Sequence, residues 1–137
     1  MLVANFEIDT AASLGTGGFG QVFRARDTAT GEVVAAKVLD SKRVRREKIM
    51  MEIKLMELVS AHRSFVGLRG AHEVAEHRKI FIFMELATGG ELFERVIKNG
   101  KLEEGEAVRA GEGGVDETGE RLFCANRVSW PQCPDDP

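Results

Sequence analysis

The chain has 137 residues, which is enough for one domain and little more. Hydrophobic residues make up 43% and charged residues 30%, as in an ordinary globular protein. The formal net charge of -3 excludes a general electrostatic attraction to nucleic acid or anionic lipid. No apolar run has the length of a membrane span, so neither nucleic acid nor a membrane is an expected partner.

The cysteines and the first residues bear on location. Met1–Glu7 lacks a basic segment and a long apolar stretch, so no secretory signal is predicted. Cys124 and Cys133 both lie near the C-terminus, which argues against a disulfide framework holding the body of the chain. We therefore expect a reducing, cytoplasmic location.

Composition divides the chain near residue 110. Residues 1–110 alternate apolar runs with turn signals. Residues 111–137 contain all three prolines, four of the fifteen glycines and no sustained apolar period. We expect a folded region over 1–110 and a flexible or disordered tail over 111–137.

The first 40 residues have the alternation of β-strands. One strand starts at Phe6 and leads into a glycine-rich turn, a second covers residues 21–26 and a third covers 32–39. Asp27–Gly31 is rich in turn formers and separates the last two strands. The pattern predicts a meander of antiparallel strands.

The period changes to that of a helix over residues 42–61. Ile49, Ile53 and Met56 lie on one face, and Ser41 is the predicted N-cap. This is the one long helix that the sequence predicts.

Two further strands follow the helix. Residues 66–68 carry a weak strand signal and residues 75–79 read as a turn. The run Ile80–Met84 is typical of a strand buried on both faces. Glu91–Lys98 and Glu103–Ala110 predict short helices. The predicted class is α+β, with a five-stranded antiparallel sheet, one main helix, short C-terminal helices and a disordered tail.

The glycine-rich turn, Gly15–Gly20, has the spacing GxGxxG. Backbone without Cβ atoms turns tightly and brings its N–H groups close to phosphate oxygens, although the pattern alone also fits a plain glycine turn. A P-loop would continue with Lys and Ser or Thr, but Gln21 and Val22 follow. A dinucleotide fold would continue with a helix and an acidic residue, whereas a strand pattern and Lys37 follow. A glycine hairpin folded over a nucleotide remains.

Lys37 lies in an apolar strand. The strand period places Val33, Ala35 and Lys37 on one face. A lysine there is costly to bury unless its ammonium meets an anion, and phosphate together with a carboxylate would meet that need. The small Ala35 leaves room for a flat base, and Val22 could close the other side. The alternative is an edge lysine that reaches water.

Several ordered motifs carry a resemblance to a known family. GTGGFGQV, VVAAK, MEIKLMEL and FIFMELATGGELF follow one another at compatible spacing. From about Phe6 to Ala110 the chain resembles the N-terminal lobe of a protein kinase domain. Within that family it is similar to the calcium/calmodulin-dependent and calcium-dependent Ser/Thr kinases.

The resemblance implies an ATP site. The glycine-rich turn would cover the phosphates, Lys37 would hold the α- and β-phosphates, and Glu52 would pair with Lys37. Glu47 and Glu57 are competing carboxylates on the same helix. The implied ATP-binding residues are Leu14, Gly15, Thr16, Gly17, Gly18, Phe19, Gly20, Val22, Ala35, Lys37, Glu52, Met84, Glu85, Ala87 and Glu91.

The adenine end of the site is also implied. Met84 would line the back of the pocket, and residues 85–87 would form a hinge whose backbone reads the adenine edge. Glu91 would lie near the ribose, or else act only as a carboxylate at a helix start. We also expect an exposed lobe face that a protein partner could cover, with Met84, Leu86, Leu92 and Phe93 as candidates.

Two motifs of the family do not occur in the sequence. Protein kinases carry His-Arg-Asp in the catalytic loop and Asp-Phe-Gly for Mg²⁺, and neither is present in these 137 residues. We expect a form truncated before the catalytic loop, which binds ATP, lacks the family's Mg²⁺ ligands and transfers no phosphate alone. The alternative is a non-catalytic interaction module that regulates a full-length kinase or binds its substrates.

Overall fold

The structure is a computed structural model that describes residues 1–17, 20–62 and 65–87. The chain divides into two units, Met1–Leu86 and Ala87–Pro137, and only Ala87 of the second is described. The predicted helices at 91–98 and 103–110 and the predicted tail at 111–137 lie outside the described residues.

An antiparallel sheet of six strands forms most of the first unit. The strands are β1 (Leu2–Val3), β2 (Phe6–Gly17), β3 (Gly20–Asp27), β4 (Val33–Asp40), β5 (Leu68–Val74) and β6 (Lys79–Glu85). Their order in the sheet is β1-β2-β3-β4-β6-β5, so β6 lies between β4 and β5. The predicted combination of an antiparallel sheet with one main helix is confirmed for the described residues, but the sheet has one strand more than the five predicted.

The additional strand is β1, which pairs Leu2 with Glu7 and Val3 with Phe6. The turn between β1 and β2 holds Ala4 at φ 50, a left-handed conformation that residues with a side chain seldom adopt. A two-residue strand is too short to show alternation, and of the two turn residues, Ala4 and Asn5, only asparagine is a turn former. This strand was therefore not predicted from the sequence.

The turn between β3 and β4 is where the sequence predicts it. Asp27 accepts a hydrogen bond from the N–H of Gly31 at 2.7 Å, and Gly31 has φ 77, which suits glycine. β5 begins at Leu68 and extends to Val74, further than the weak signal at 66–68. As an edge strand with largely exposed side chains, β5 shows little hydrophobic alternation.

The helix α1 covers Arg46–Val59 and begins later than the predicted residue 42. The predicted cap at Ser41 is wrong, because Arg45 occupies the cap position and has no side-chain cap bond. The Ser41 hydroxyl instead donates to the carbonyl oxygen of Arg78 at 2.9 Å. Ile49 and Ile53 are buried, as their shared face predicts.

The two faces of the sheet carry different kinds of residue. One face carries an apolar core in which the rings of Phe6 and Phe83 stack with centroids 3.9 Å apart. The other face carries Lys37 and lies toward α1, because Lys37 contacts Glu52 of that helix. The buried members of the core are Val3, Phe6, Ile8, Ala25, Val34, Ala36, Phe81 and Phe83.

Candidate functional site

One row of residues crosses four strands of the sheet on the side of α1. The strand register pairs Gly15 with Val22, Val22 with Lys37, and Lys37 with Ile82. Directly opposed residues of an antiparallel sheet point to the same face, so the side chains of this row lie together. Ile82, which the sequence analysis left out, stands beside Lys37. The alternation in Ile80–Met84 pairs Ile82 with Met84, but only the register reveals which face they occupy.

Two residues adjacent to this row lie on the same face of the sheet. Ala35 and Met84 are register partners and share the face of Lys37, two residues along their strands. The structure therefore brings together Val22, Ala35, Lys37 and Met84, as the resemblance implied. Met84 is only 3% exposed, so its predicted place in an exposed lobe face is wrong. It belongs to a central strand and is covered by its neighbours, while Leu92 and Phe93 lie outside the described residues.

The glycine-rich turn connects β2 to β3. Gly17 and Gly20 are the last register pair of this hairpin, and Gly18 and Phe19 between them lie outside the described residues. Thr16 pairs with Gln21 and is exposed. The register shift between Ser13 and Gly15 makes Leu14 the extra residue of a bulge, which bends the hairpin before its tip.

Lys37 and Glu52 form an ion pair on the helix face. Lys37 Nζ donates to Glu52 Oε1 at 2.8 Å, and Lys37 is 6% exposed. This is the pairing that the resemblance implied for Glu52. The competing carboxylates, Glu47 and Glu57, are both exposed on α1.

The ion pair with Glu52 offsets the desolvation cost of burying the Lys37 ammonium. A buried ammonium is tolerated when a carboxylate lies within hydrogen-bonding distance, and Glu52 is such a carboxylate. The alternative of an edge lysine that reaches water is thereby excluded, since β4 is a central strand and Lys37 is buried. The strand β4 and the helix α1 fix the two charges from opposite sides.

The end of β6 is held by residues just before β5. The N–H of Glu85 donates to the carbonyl oxygen of Gly67 at 2.8 Å, and Gly67 N–H donates to Glu85 Oε2 at 3.3 Å. Glu85 and Leu86 are half-buried. Ala87 belongs to the second unit, and Glu91 lies outside the described residues.

A concavity of about 740 Å³ lies elsewhere on β2 and β3 and contains none of the predicted site residues. Charged residues of opposite sign face each other across it, because Glu7 pairs with Arg26 and Asp9 with Arg24 in the register. The charges of these four side chains compensate each other, and the N-terminal ammonium of Met1, which also lines the concavity, donates to the carbonyl oxygen of Ile8 at 2.9 Å. The row that contains Lys37 is chemically the better candidate for an anionic ligand.

The described part of the chain lacks two kinds of feature. None of its helices combines the length and the apolar character that a membrane crossing needs. Nor do three or more His, Cys, Asp or Glu side chains in residues 1–17, 20–62 and 65–87 form a group that could hold a metal ion.

Comparison with known proteins identifies the family. The model of the protein kinase domain matches residues 8–112. CBL-interacting protein kinase 8 of Oryza sativa subsp. japonica is 41% identical over 112 residues, which are 78% of this chain and 24% of the relative. CBL-interacting serine/threonine-protein kinase 3 of Arabidopsis thaliana is 40% identical over 112 residues, with the same shares of 78% and 24%. This chain belongs to the protein kinase domain family.

The relatives add two qualifications. A third, CBL-interacting protein kinase 14 of Oryza sativa subsp. japonica, is 46% identical over 96 residues, which are 66% of this chain and 21% of the relative. The chain therefore spans about a quarter of the length of the curated relatives that it matches. These relatives are named CBL-interacting, and the predicted similarity to calcium/calmodulin-dependent kinases is not confirmed by them.

Proposed function

We propose that this chain is the ATP-binding part of a Ser/Thr protein kinase. The observation that supports the proposal best is the buried pair of Lys37 Nζ and Glu52 Oε1, 2.8 Å apart, on the same face of the sheet as Val22 and Ala35. A fixed ammonium beside a glycine hairpin is suited to the phosphates of a nucleotide.

The chemistry of Lys37 fits such a ligand. An ammonium has three N–H donors, and within the described residues Glu52 is its one hydrogen-bond partner. Two donors remain for phosphate oxygens, and charge-assisted bonds of this kind are among the stronger ones. Glu52 holds the ammonium in place, so that little side-chain entropy is lost when phosphate binds.

The proposed adenine end lies along the same face. Ala35 is small enough to leave space for a flat base, and Val22 and Met84 supply apolar contacts. We propose that the backbone of residues 85–87 reads the adenine edge. Recognition by backbone groups does not depend on the side chains at these positions.

Phosphoryl transfer needs Mg²⁺ held by an Asp and an Asn, together with a catalytic-loop Asp. The motifs that supply them in the family do not occur among the 137 residues. We therefore propose that a polypeptide of these residues alone binds ATP weakly and transfers no phosphate. Kinase activity is proposed only for a polypeptide that carries both this chain and those motifs.

The subgroup of kinases is a separate proposal. Relatives at 40% and 41% identity are named CBL-interacting, which favours that group over calcium/calmodulin-dependent kinases for the protein to which this domain belongs. The interaction in their name is a property of the whole relatives, of which the chain covers about a quarter.

Calorimetric titration of the chain with ATP tests the proposed site. Lys37→Met removes the ammonium and keeps an apolar stem, and we expect it to weaken ATP binding about tenfold or more. Lys54→Met removes an exposed lysine of α1 and is the matched control, with ATP affinity expected to equal that of the wild type.

Three results would contradict the proposal. Equal ATP affinity of the wild type and the folded Lys37→Met variant would remove Lys37 from the site. Absence of ATP binding by the folded wild type would favour the alternative, a non-catalytic interaction module. Phosphate incorporation into a basic peptide that is lost in Lys37→Met would contradict the claim that the chain is inactive alone.

A further inference from the structure

Arg69 and Glu32 form a bidentate ion pair at the end of β6. Arg69 Nη2 lies 2.9 Å from Glu32 Oε1, and Arg69 Nε lies 3.0 and 3.1 Å from the two carboxylate oxygens. Glu32 directly precedes β4 and Arg69 belongs to β5, and β6 lies between these two strands in the sheet. The pair therefore joins the two strands that flank β6, at the end where β6 finishes.

A bulge in β5 directs the Arg69 side chain toward Glu32. The β5–β6 register shifts between Leu68 and Gly70, so Arg69 is the extra residue of a bulge. Bulges redirect side chains out of the regular alternation. The regular alternation of a strand therefore does not predict the direction of the Arg69 side chain.

Arg69 also acts on Glu85. A Cβ atom at Gly67 would lie 2.6 Å from Arg69 Nη1 and 3.5 Å from Glu85 Oε2, so the bare Gly67 leaves the space in which both side chains approach. Hydrogen bonding to Glu32 raises the pKa of Arg69, partial burial opposes this, and the charges of Glu32 and Glu85 add to the increase. The Arg69 guanidinium is thus attracted to Glu85 while Glu32 holds it.

We propose that Arg69, anchored by Glu32, is a positioning residue that fixes the backbone at the end of β6 and thereby favours adenine over guanine. The inference rests on the proposed function, because it concerns the backbone of residues 85–87 as the reader of the base. Glu85 is bound through both its backbone and its carboxylate to Gly67, and the charge of Arg69 keeps that carboxylate in place.

Base selectivity is the property that such positioning controls. The edges of adenine and guanine present donors and acceptors in opposite order, so a backbone placed for adenine leaves guanine with unmatched groups. When the backbone gains freedom, adenine loses well-aligned bonds and guanine loses little. The ratio of ATP to GTP affinity therefore falls, while general loosening of the fold lowers both affinities alike.

The experiment compares two arginines that make similar pairs. Arg69→Gln removes the pair beside Glu85. Arg46→Gln removes the pair of Arg46 with Glu73, which joins α1 to β5 through Nε at 3.3 Å and Nη2 at 2.9 Å and is the matched control. The dissociation constants of ATP and GTP are measured by calorimetry on the full chain. We expect Arg69→Gln to lower the ATP:GTP affinity ratio about threefold and Arg46→Gln to leave it unchanged.

Glu32→Gln is the second variant, because it releases Arg69 without touching β5 or β6. It is expected to lower the ratio in the same direction as Arg69→Gln, and it carries the test if Arg69→Gln does not fold. An unchanged ratio in the folded variants would overturn the inference, as would an equal fall in Arg46→Gln. Loss of the proposed function is seen separately, as equal ATP affinity of the wild type and Lys37→Met.

Discussion

Gly20 lies so close to Val38 across β3 and β4 that a Cβ atom at residue 20 would overlap the Val38 carbonyl oxygen. The absence of a side chain at Gly20 is therefore a requirement of the sheet itself. Gly15 differs, because a Cβ atom there would meet no heavy atom within 4 Å. These two glycines of one motif thus serve different purposes, and of the two only Gly15 has space above it for a ligand.

Alanine substitutions separate these purposes. Gly20→Ala is expected to lower the free energy of unfolding by about 2 kcal/mol, because strand backbone must move to admit the methyl group. Gly15→Ala is expected to change it by less than about 0.5 kcal/mol and to weaken ATP binding, since the methyl group hinders the approach of phosphate. Urea denaturation and calorimetry provide the measurements, and equal destabilisation by both substitutions would refute the distinction.

The buried pair gives a second prediction. Glu52→Leu leaves the ammonium of Lys37 buried without a counter-charge, and we expect it to lower the free energy of unfolding by about 3 kcal/mol. The double variant Lys37→Met/Glu52→Leu removes both charges and should regain most of this loss. Glu57→Leu, at an exposed position of α1, is the control. A double variant no more stable than Glu52→Leu would show that the charge is not the cause.

The Arg46–Glu73 pair predicts a dependence on pH. Hydrogen bonding to Arg46, helped by its charge, lowers the pKa of Glu73 below its ordinary value of 4.5. A carboxyl whose pKa is lowered by folding adds stability above its unfolded pKa, and this stability is lost as the pH falls through the folded value.

Melting temperatures of the wild type and Arg46→Gln check this dependence. The wild type is expected to melt higher at pH 7, and the difference should shrink at an acid pH well below 4.5, as the Glu73 carboxyl becomes protonated in the folded state as well. The difference is expected to be small, because the two side chains are 58% and 39% exposed. A difference of equal size at both pH values would contradict the assignment to Glu73.

Two of the turns that carry a residue in the left-handed region, those at Ala4 and Gly31, are expected to respond differently to substitution. Gly31→Ala places a side chain at φ 77 and should lower the free energy of unfolding by about 1 kcal/mol. Ala4→Gly relieves a similar strain at φ 50 but adds flexibility to the unfolded chain, so we expect a change of less than about 0.5 kcal/mol. Urea denaturation measures both, and a loss for Ala4→Gly as large as that for Gly31→Ala would contradict the argument.

Features that depend on neighbours in the sequence were predictable. The apolar residues around Lys37 and the continuous apolar run of β6 identified two strands, because burial of a strand leaves a direct trace in its residue types. The pair of Lys37 with Glu52 was predictable from the resemblance to protein kinases, because the helix motif of that family matches the segment that begins at Glu52.

Features that depend on residues distant in the sequence were not predictable. The hydroxyl of Ser41 bonds to Arg78, far along the chain, and so the predicted cap failed. Arg69 reaches Glu32 from a bulge in an exposed edge strand, where neither hydrophobic period nor spacing indicates a direction. The face on which Ile82 lies became evident only from the register of β4 with β6.

The position of β6 between β4 and β5 has a consequence for how the chain folds. β1 to β4 follow one another as local hairpins and can form early, and β5 and β6 form a hairpin of their own. The pairing of β4 with β6 must instead close the whole segment between Asp40 and Lys79, which makes it the entropically costly event. Until the β5–β6 hairpin pairs with β4, the apolar edge of β4 stays unpaired. A nascent chain is then most exposed to pairing with a copy of itself.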